Sequence, residues 1–129
     1  MSSTVMAEIA TRASDSKTDV QGKNTQVICC TYCPSKILNP GAASLTNITY
    51  PLPLVLCKRD EVDKREIINE YWLVENINSF ENIGVTYKAE NVKFLVCADC
   101  EKGPVGWQDL STFHSYIALS RVKYQKPAL

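Results

Sequence analysis

The 129-residue chain lacks an excess of either charge: lysine plus arginine and aspartate plus glutamate come to 14 each. With no overall basic field to hold a phosphate backbone, nucleic acid is disfavoured as a partner. Long apolar runs are missing as well. The longest largely apolar stretch, Tyr50 to Cys57, contains Pro51 and Pro53 and falls far short of the ~20 residues that span a bilayer, so no direct membrane insertion is expected. Residues 1–23 are rich in Ser, Thr, Asp, Lys and Ala and lack the apolar core of a secretory signal. A disordered tail and a cytosolic location are the expectations there. Histidine occurs once, at His114, in a stretch read as strand, where a structural role is expected rather than that of a base. No internal repeat is visible.

What the chain does have is cysteine in pairs. Cys30-Thr31-Tyr32-Cys33 and Cys97-Ala98-Asp99-Cys100 are both Cys-x-x-Cys, with 63 residues between Cys33 and Cys97. Each such turn places two thiolates on one side of a tight knuckle, and two knuckles supply the four tetrahedral sulfur ligands of a closed zinc site. One structural Zn2+ on Cys30, Cys33, Cys97 and Cys100 is therefore expected, with no open position for catalysis. Cys29 would give a different spacing and points the other way on a strand, so Cys29 and Cys57 are read as small buried hydrophobes.

At 45% apolar, the chain is long enough for one core and too short for two, so a single domain is expected. Its pattern is mainly β. Gln26 to Cys30, Lys36 to Leu38, Glu70 to Val74, Ile83 to Tyr87 and Asn91 to Val96 are β-branched or aromatic runs bounded by turn residues. Pro51 and Pro53 restrict Ser44 to Leu56 to an edge strand or extended loop. A last strand is expected over Phe113 to Val122. The run from Lys58 to Glu66 holds eight charged residues, which predicts a mobile charged loop near 58–69. The domain is placed at 24–124. Trp72, Trp107, Phe80 and Phe94 are assigned to the core, and the glycines of Gly103-Pro104-Val105-Gly106 to turn geometry.

The block Lys93-Phe94-Leu95-Val96-Cys97-Ala98-Asp99-Cys100-Glu101, followed by Gly103-Pro104, Gly106 and Trp107, resembles the second knuckle of the Rab-interacting factor family. The first knuckle with Ser35, Leu38, Pro40 and Gly41 is similar too, as are Trp72-Leu73-Val74-Glu75 and Phe80-Glu81-Asn82-Ile83-Gly84. The resemblance implies a twisted antiparallel β-tent pinned by zinc. It implies a monomer in the cytosol, transiently at membranes, that binds the nucleotide-free form of secretory Rab GTPases and promotes guanine-nucleotide release in vesicular transport as exchange factor or chaperone, without being an enzyme. It also implies a partner surface beside the zinc: Asp99, Glu75, Asn76, Ile77 and Asn78, with Glu101 added for its place next to Asp99. The family often has an acidic residue and an aromatic one where this chain has Asn76 and Asn78. From the residues alone, Asp99 can equally accept backbone N–H groups of its own knuckle.

Two other classes fit less well. A methionine sulfoxide reductase-like enzyme needs a reactive cysteine with nearby histidines or arginine, and a zinc-ribbon docking module has knuckles about 15 to 20 residues apart.

Closing the loop between the knuckles costs about 4 kcal/mol of chain entropy, against about 10 to 16 kcal/mol that structural zinc contributes in small fingers. Strong chelation is therefore expected to unfold the domain or lower its Tm by many degrees. An unchanged melting curve after complete metal removal would contradict this.

Overall fold

A computed structural model describes residues 18–54, 64–89 and 91–126. Among the described residues nine strands follow one another: β1 Val27–Cys30, β2 Lys36–Leu38, β3 Ser44–Pro53, β4 Arg65–Val74, β5 Gly84–Ala89, β6 Val92–Val96, β7 Gly106–Asp109, β8 Ser115–Ala118 and β9 Val122–Gln125. They form two sheets, one of three strands in the order β2-β1-β9 and one of six in the order β3-β4-β8-β7-β6-β5. Neighbouring strands are antiparallel throughout. Among the described residues the only helical pieces are two short 3-10 turns, Ile77–Ser79 and Leu119–Arg121. The mainly β, antiparallel, single-domain architecture expected from the sequence is what the chain adopts.

The large sheet buries both of its faces, which the period of two makes visible along each strand. Trp72 and Val74 of β4, Leu95 of β6 and Ile117 of β8 pack with Ile28, Cys30, Ile37, Leu38 and Val122 of the small sheet. Their neighbours in sequence, Tyr71, Phe94 and Ala118, join Leu52, Ile68 and Trp107 in a second cluster. There the Trp107 ring lies stacked between Tyr50 and Tyr116, with ring centroids 4.2 and 4.3 Å away. Trp72, Trp107 and Phe94 are thus core residues. Phe80 is half-buried against the first cluster.

Of the two alternatives for the Pro51 and Pro53 segment, the edge strand is the one found: β3 carries both on the outer edge of the large sheet, where no further ladder needs their missing N–H. Other expectations shift. Arg65 to Asn69, expected in the charged loop, belong to β4, because Arg65, Glu66, Ile67 and Ile68 pair with Pro53 to Tyr50. Lys58 to Asp63 and Cys57 lie outside the described residues. Thr18 to Lys23 form a turn joined to the domain by bridges from Thr18 to Asn24 and Lys23 to Ser44.

The expected last strand is two strands. Its first residues belong to the β7–β8 turn, where the Asp109 carboxylate accepts from Ser111 N and the Thr112 hydroxyl from His114 N. Phe113 is 62% exposed at φ 65°, outside the strand it was expected to open, and His114 also precedes the strand. At the other end, the 3-10 turn Leu119–Arg121 carries the chain from the large sheet to β9 in the small one. Gly106 also differs from expectation. It lies inside β7, and a Cβ there would come within 2.0 Å of the Tyr116 carbonyl oxygen, so closeness between strands requires the glycine. At Gly103, φ is +151°, in keeping with the turn expected there.

Arg121 fixes this crossing. Its Nη1 donates to Pro53 O at 2.9 Å and Pro104 O at 2.8 Å, its Nη2 to Leu52 O at 3.3 Å and Glu66 Oε1 at 3.2 Å, and its Nε to Glu66 Oε1 at 3.3 Å. All five guanidinium donors are used. Arg121→Ala is expected to cost about 3 kcal/mol, because several carbonyls lose their partner together. Arg121→Lys should recover less than half of that, since an ammonium lacks the planar fork. A lysine variant with the wild-type urea midpoint would refute the assignment.

Tyr71 donates its hydroxyl to Tyr50 O at 2.8 Å, and burial, opposed in part by the charge of Arg121, pushes its phenol up to about 12. An unfolded tyrosine titrates near ~10. Between those values the unfolded state holds fewer protons, so stability is full below pH ~10 and falls as pH rises through this window. Tyr71→Phe should lose about 1 kcal/mol at neutral pH and show a shallower alkaline decline, by up to one proton. An identical alkaline slope in both proteins would be the contrary result.

Candidate metal centre and adjoining groove

Each knuckle is shaped by its own backbone. Cys30 closes β1, its N–H donating to Ser35 O at 2.9 Å, and the Tyr32 N–H points at Cys30 Sγ, 3.3 Å away. Cys97 follows β6 directly, and the return is closed by Glu101 N to Cys97 O at 2.7 Å and Cys97 N to Lys102 O at 3.2 Å. Glu101 adopts φ 60° to make this turn.

The four expected sulfurs converge. Cys30 Sγ lies 3.6 Å from Cys100 Sγ and Cys33 Sγ 3.6 Å from Cys97 Sγ, and all four lie within 4.8 Å of one another. Metal–sulfur bonds of ~2.3 Å in a tetrahedron put sulfurs about 3.8 Å apart, and a disulfide would need ~2.05 Å. The spacing fits four free thiols around one ion. Cys30 and Cys97 are buried and Cys33 and Cys100 half-buried, so the cluster opens toward the surface on one side. Cys29 Sγ instead lies 3.6 Å from Gln125 Oε1, buried and apart from this set.

Ser35 supplies what the first knuckle needs. Its hydroxyl and then its backbone N–H lower the Cys33 thiol to about 6, toward the thiolate that a metal requires. The same hydroxyl donates to Asp99 Oδ2 across the gap between the knuckles. One hydroxyl carries one proton, so Cys33 and Asp99 compete for it. Asp99 therefore shapes the site by reaching the opposite knuckle.

Beside the cluster runs an open groove of about 580 Å3, to which Ile77, Asn78, Ala98 and Asp99 contribute. Ile77, Asn78 and Asp99 are the expected partner residues that come together. Asn76 stands at the start of the 3-10 turn, where its Oδ1 accepts from Asn78 N at 2.8 Å. Glu75 and Glu101 are exposed and do not line the groove. Sequence reasoning missed Phe80, Glu81, Asn82, Ile83 and Val85 as groove residues. The local signal for the first four was their place in the Phe80 to Gly84 motif; Val85 lies just outside it.

Asn82 touches the second knuckle directly. Its Nδ2 donates to Cys97 Sγ at 3.2 Å and its Oδ1 accepts from Ala98 N at 2.9 Å. Next to it, Glu81 holds the first hairpin, through Glu81 N to Ile37 O at 2.8 Å and Asn39 Nδ2 to Glu81 Oε2 at 2.9 Å.

Comparison with known proteins gives a consistent answer. The family model described as Mss4 protein matches residues 23–124. Over 107 residues the chain is 39% identical to a protein of Drosophila melanogaster named guanine nucleotide exchange factor MSS4 homolog, covering 81% of this chain and 88% of that one. A protein of the same name from Schizosaccharomyces pombe is 31% identical over 93 residues, covering 71% of this chain and 89% of the relative.

Proposed function

Since the chain belongs to the Mss4 family, whose knuckles its own resemble, we propose that it is a zinc-stabilised factor that releases guanine nucleotide from a small GTPase of the secretory Rab class. The observation that carries this reading is the groove set against the four-cysteine cluster, with the Asp99 carboxylate and the Ile77 side chain on its walls. Four thiolates in tetrahedral spacing suit Zn2+ and leave it no open position, so zinc acts as a structural joint.

The proposed action is thermodynamic. A factor that binds the empty GTPase more tightly than the loaded one must lower nucleotide affinity by the same ratio. Asp99, held rigidly between the knuckles, attracts the basic groups that an emptied phosphate site leaves without their anion. Ile77, Phe80 and Ile83 offer apolar surface for the partner to cover. No bond in the nucleotide is made or broken, so no residue is assigned a catalytic role. The protein acts as a monomer in the cytosol and meets membranes through its GTPase, in vesicular transport.

The test is release of fluorescent GDP from a panel of secretory Rab GTPases, at low and at high free GTP. Acceleration confined to a subset of the panel is expected, with Asp99→Ala reducing it about tenfold. If release slows once free GTP is scarce, the factor is an exchanger; a persistent empty complex marks a chaperone. No acceleration and no complex with any nucleotide-free member would refute the reading.

A further inference from the structure

We propose that Asn82 is a positioning residue that couples the metal knuckle to the groove, by donating to the metal-binding sulfur of Cys97 while holding the Ala98-Asp99 backbone in place. The groove half of this inference rests on the function proposed above; the metal half does not.

One planar amide makes both contacts: Nδ2 to Cys97 Sγ at 3.2 Å and Oδ1 from Ala98 N at 2.9 Å. Asparagine is the short side chain that carries a donor and an acceptor in one rigid group. Four thiolates bring two more negative charges than a divalent cation neutralises, so a donor aimed at a ligand sulfur lowers the electron density there and fixes the ligand's orientation. The Tyr32 N–H does the same for Cys30, but as a backbone group that almost any residue at that position would supply. At Cys97 the task falls to a side chain, 15 residues away in sequence.

The same amide sits in the groove. Asn82 lines it together with Ala98 and Asp99, so the angle at which Asp99 meets a partner depends on the Ala98 N–H that Asn82 holds. Glu81 anchors the segment to the first hairpin through Ile37 O and Asn39. Phe80 and Ile83, packed against the core between the sheets, fix it from below. Residues 80–83 thus link the β1–β2 hairpin to the second knuckle independently of the metal, and Asn82 is where that link reaches a ligand.

Asn82→Asp separates the two contacts, since it keeps an acceptor for Ala98 N and replaces the donor with a carboxylate facing a thiolate. Three readouts are compared in the full chain: zinc affinity by competition with a chromophoric chelator, the thiolate-to-metal charge-transfer band of the Co2+-substituted protein, and GDP release at saturating zinc. Zinc affinity is expected to fall 10- to 100-fold, the Co2+ band to shift, and GDP release by the fully zinc-loaded variant to fall. Asn82→Ala should lose both contacts and release GDP more slowly still. Asn39→Ala, which removes the side-chain part of the tie between Glu81 and the β1–β2 hairpin and leaves Cys97 untouched, should leave zinc affinity and the Co2+ band as in wild type.

Wild-type zinc affinity and an unmoved Co2+ band in Asn82→Asp would overturn the metal half. Wild-type GDP release by zinc-loaded Asn82→Ala would overturn the groove half. A wild-type protein that accelerates release from no GTPase refutes the function proposed above and the groove half with it, while the two metal readouts still decide the role of Asn82 toward Cys97.

Discussion

Both close sulfur contacts in the four-cysteine cluster run between sheets. Cys30 ends a strand of the small sheet and Cys97 follows a strand of the large one, and each pairs at 3.6 Å with a cysteine of the opposite knuckle. The small sheet has three short strands and could not bury enough surface to stand alone. Its apolar side chains share one core with the large sheet, and the cluster closes the rim of that core. Because the contacts are distant in sequence, their loop entropy must be met before the core can reward it. A metal that binds both knuckles replaces many weak contacts with four strong ones at the place where the sheets meet.

Arg121 works at the other crossing of the same joint. The 3-10 turn that carries it leads from the large sheet into the small one, and its guanidinium reaches the end of β3, the start of β4 and Pro104, just beyond the second knuckle. The ion pair with half-exposed Glu66 is the weaker part of this arrangement. Donation to three backbone carbonyls is the stronger one, because it ties the end of β3 to Pro104, two segments that no ladder joins. Gly106 shows the tolerance of the packing nearby: strands β7 and β8 approach so closely that even a methyl group has no room.

The four-cysteine cluster was legible in the sequence because a Cys-x-x-Cys turn is local and chemically specific. Short strands such as Lys36 to Leu38 were legible because turn residues bound them on both sides. Ends of strands were not. The periodicity from Phe113 to Val122 cannot reveal that Asp109 and Thr112 cap a turn at one end and that Arg121 pulls the chain into another sheet at the other. Arg65 to Asn69 looked like loop because charged residues on an exposed strand carry no apolar alternation. Asn82 and Ser35 were invisible as site residues for a different reason. Their roles come from partners 15 and 64 residues away, and a single polar side chain in a turn looks the same in sequence whether it meets water or a ligand sulfur.

Under the proposed function, the departures at Asn76 and Asn78 would act on different parts of binding. Asn76 caps the 3-10 turn by accepting the Asn78 N–H, a task an aspartate does through the same oxygen. The asparagine therefore keeps the local structure and removes one negative charge from the approach to the groove. Charge at a rim mainly sets association rate and salt dependence. At Asn78 the family's aromatic surface is absent, and apolar area covered in a complex acts chiefly on dissociation. Ile77, the carboxylate of Asp99 and the bridge through residues 80–83 remain. Under the proposed function, the changes at these two positions would alter how fast a partner arrives and how long it stays.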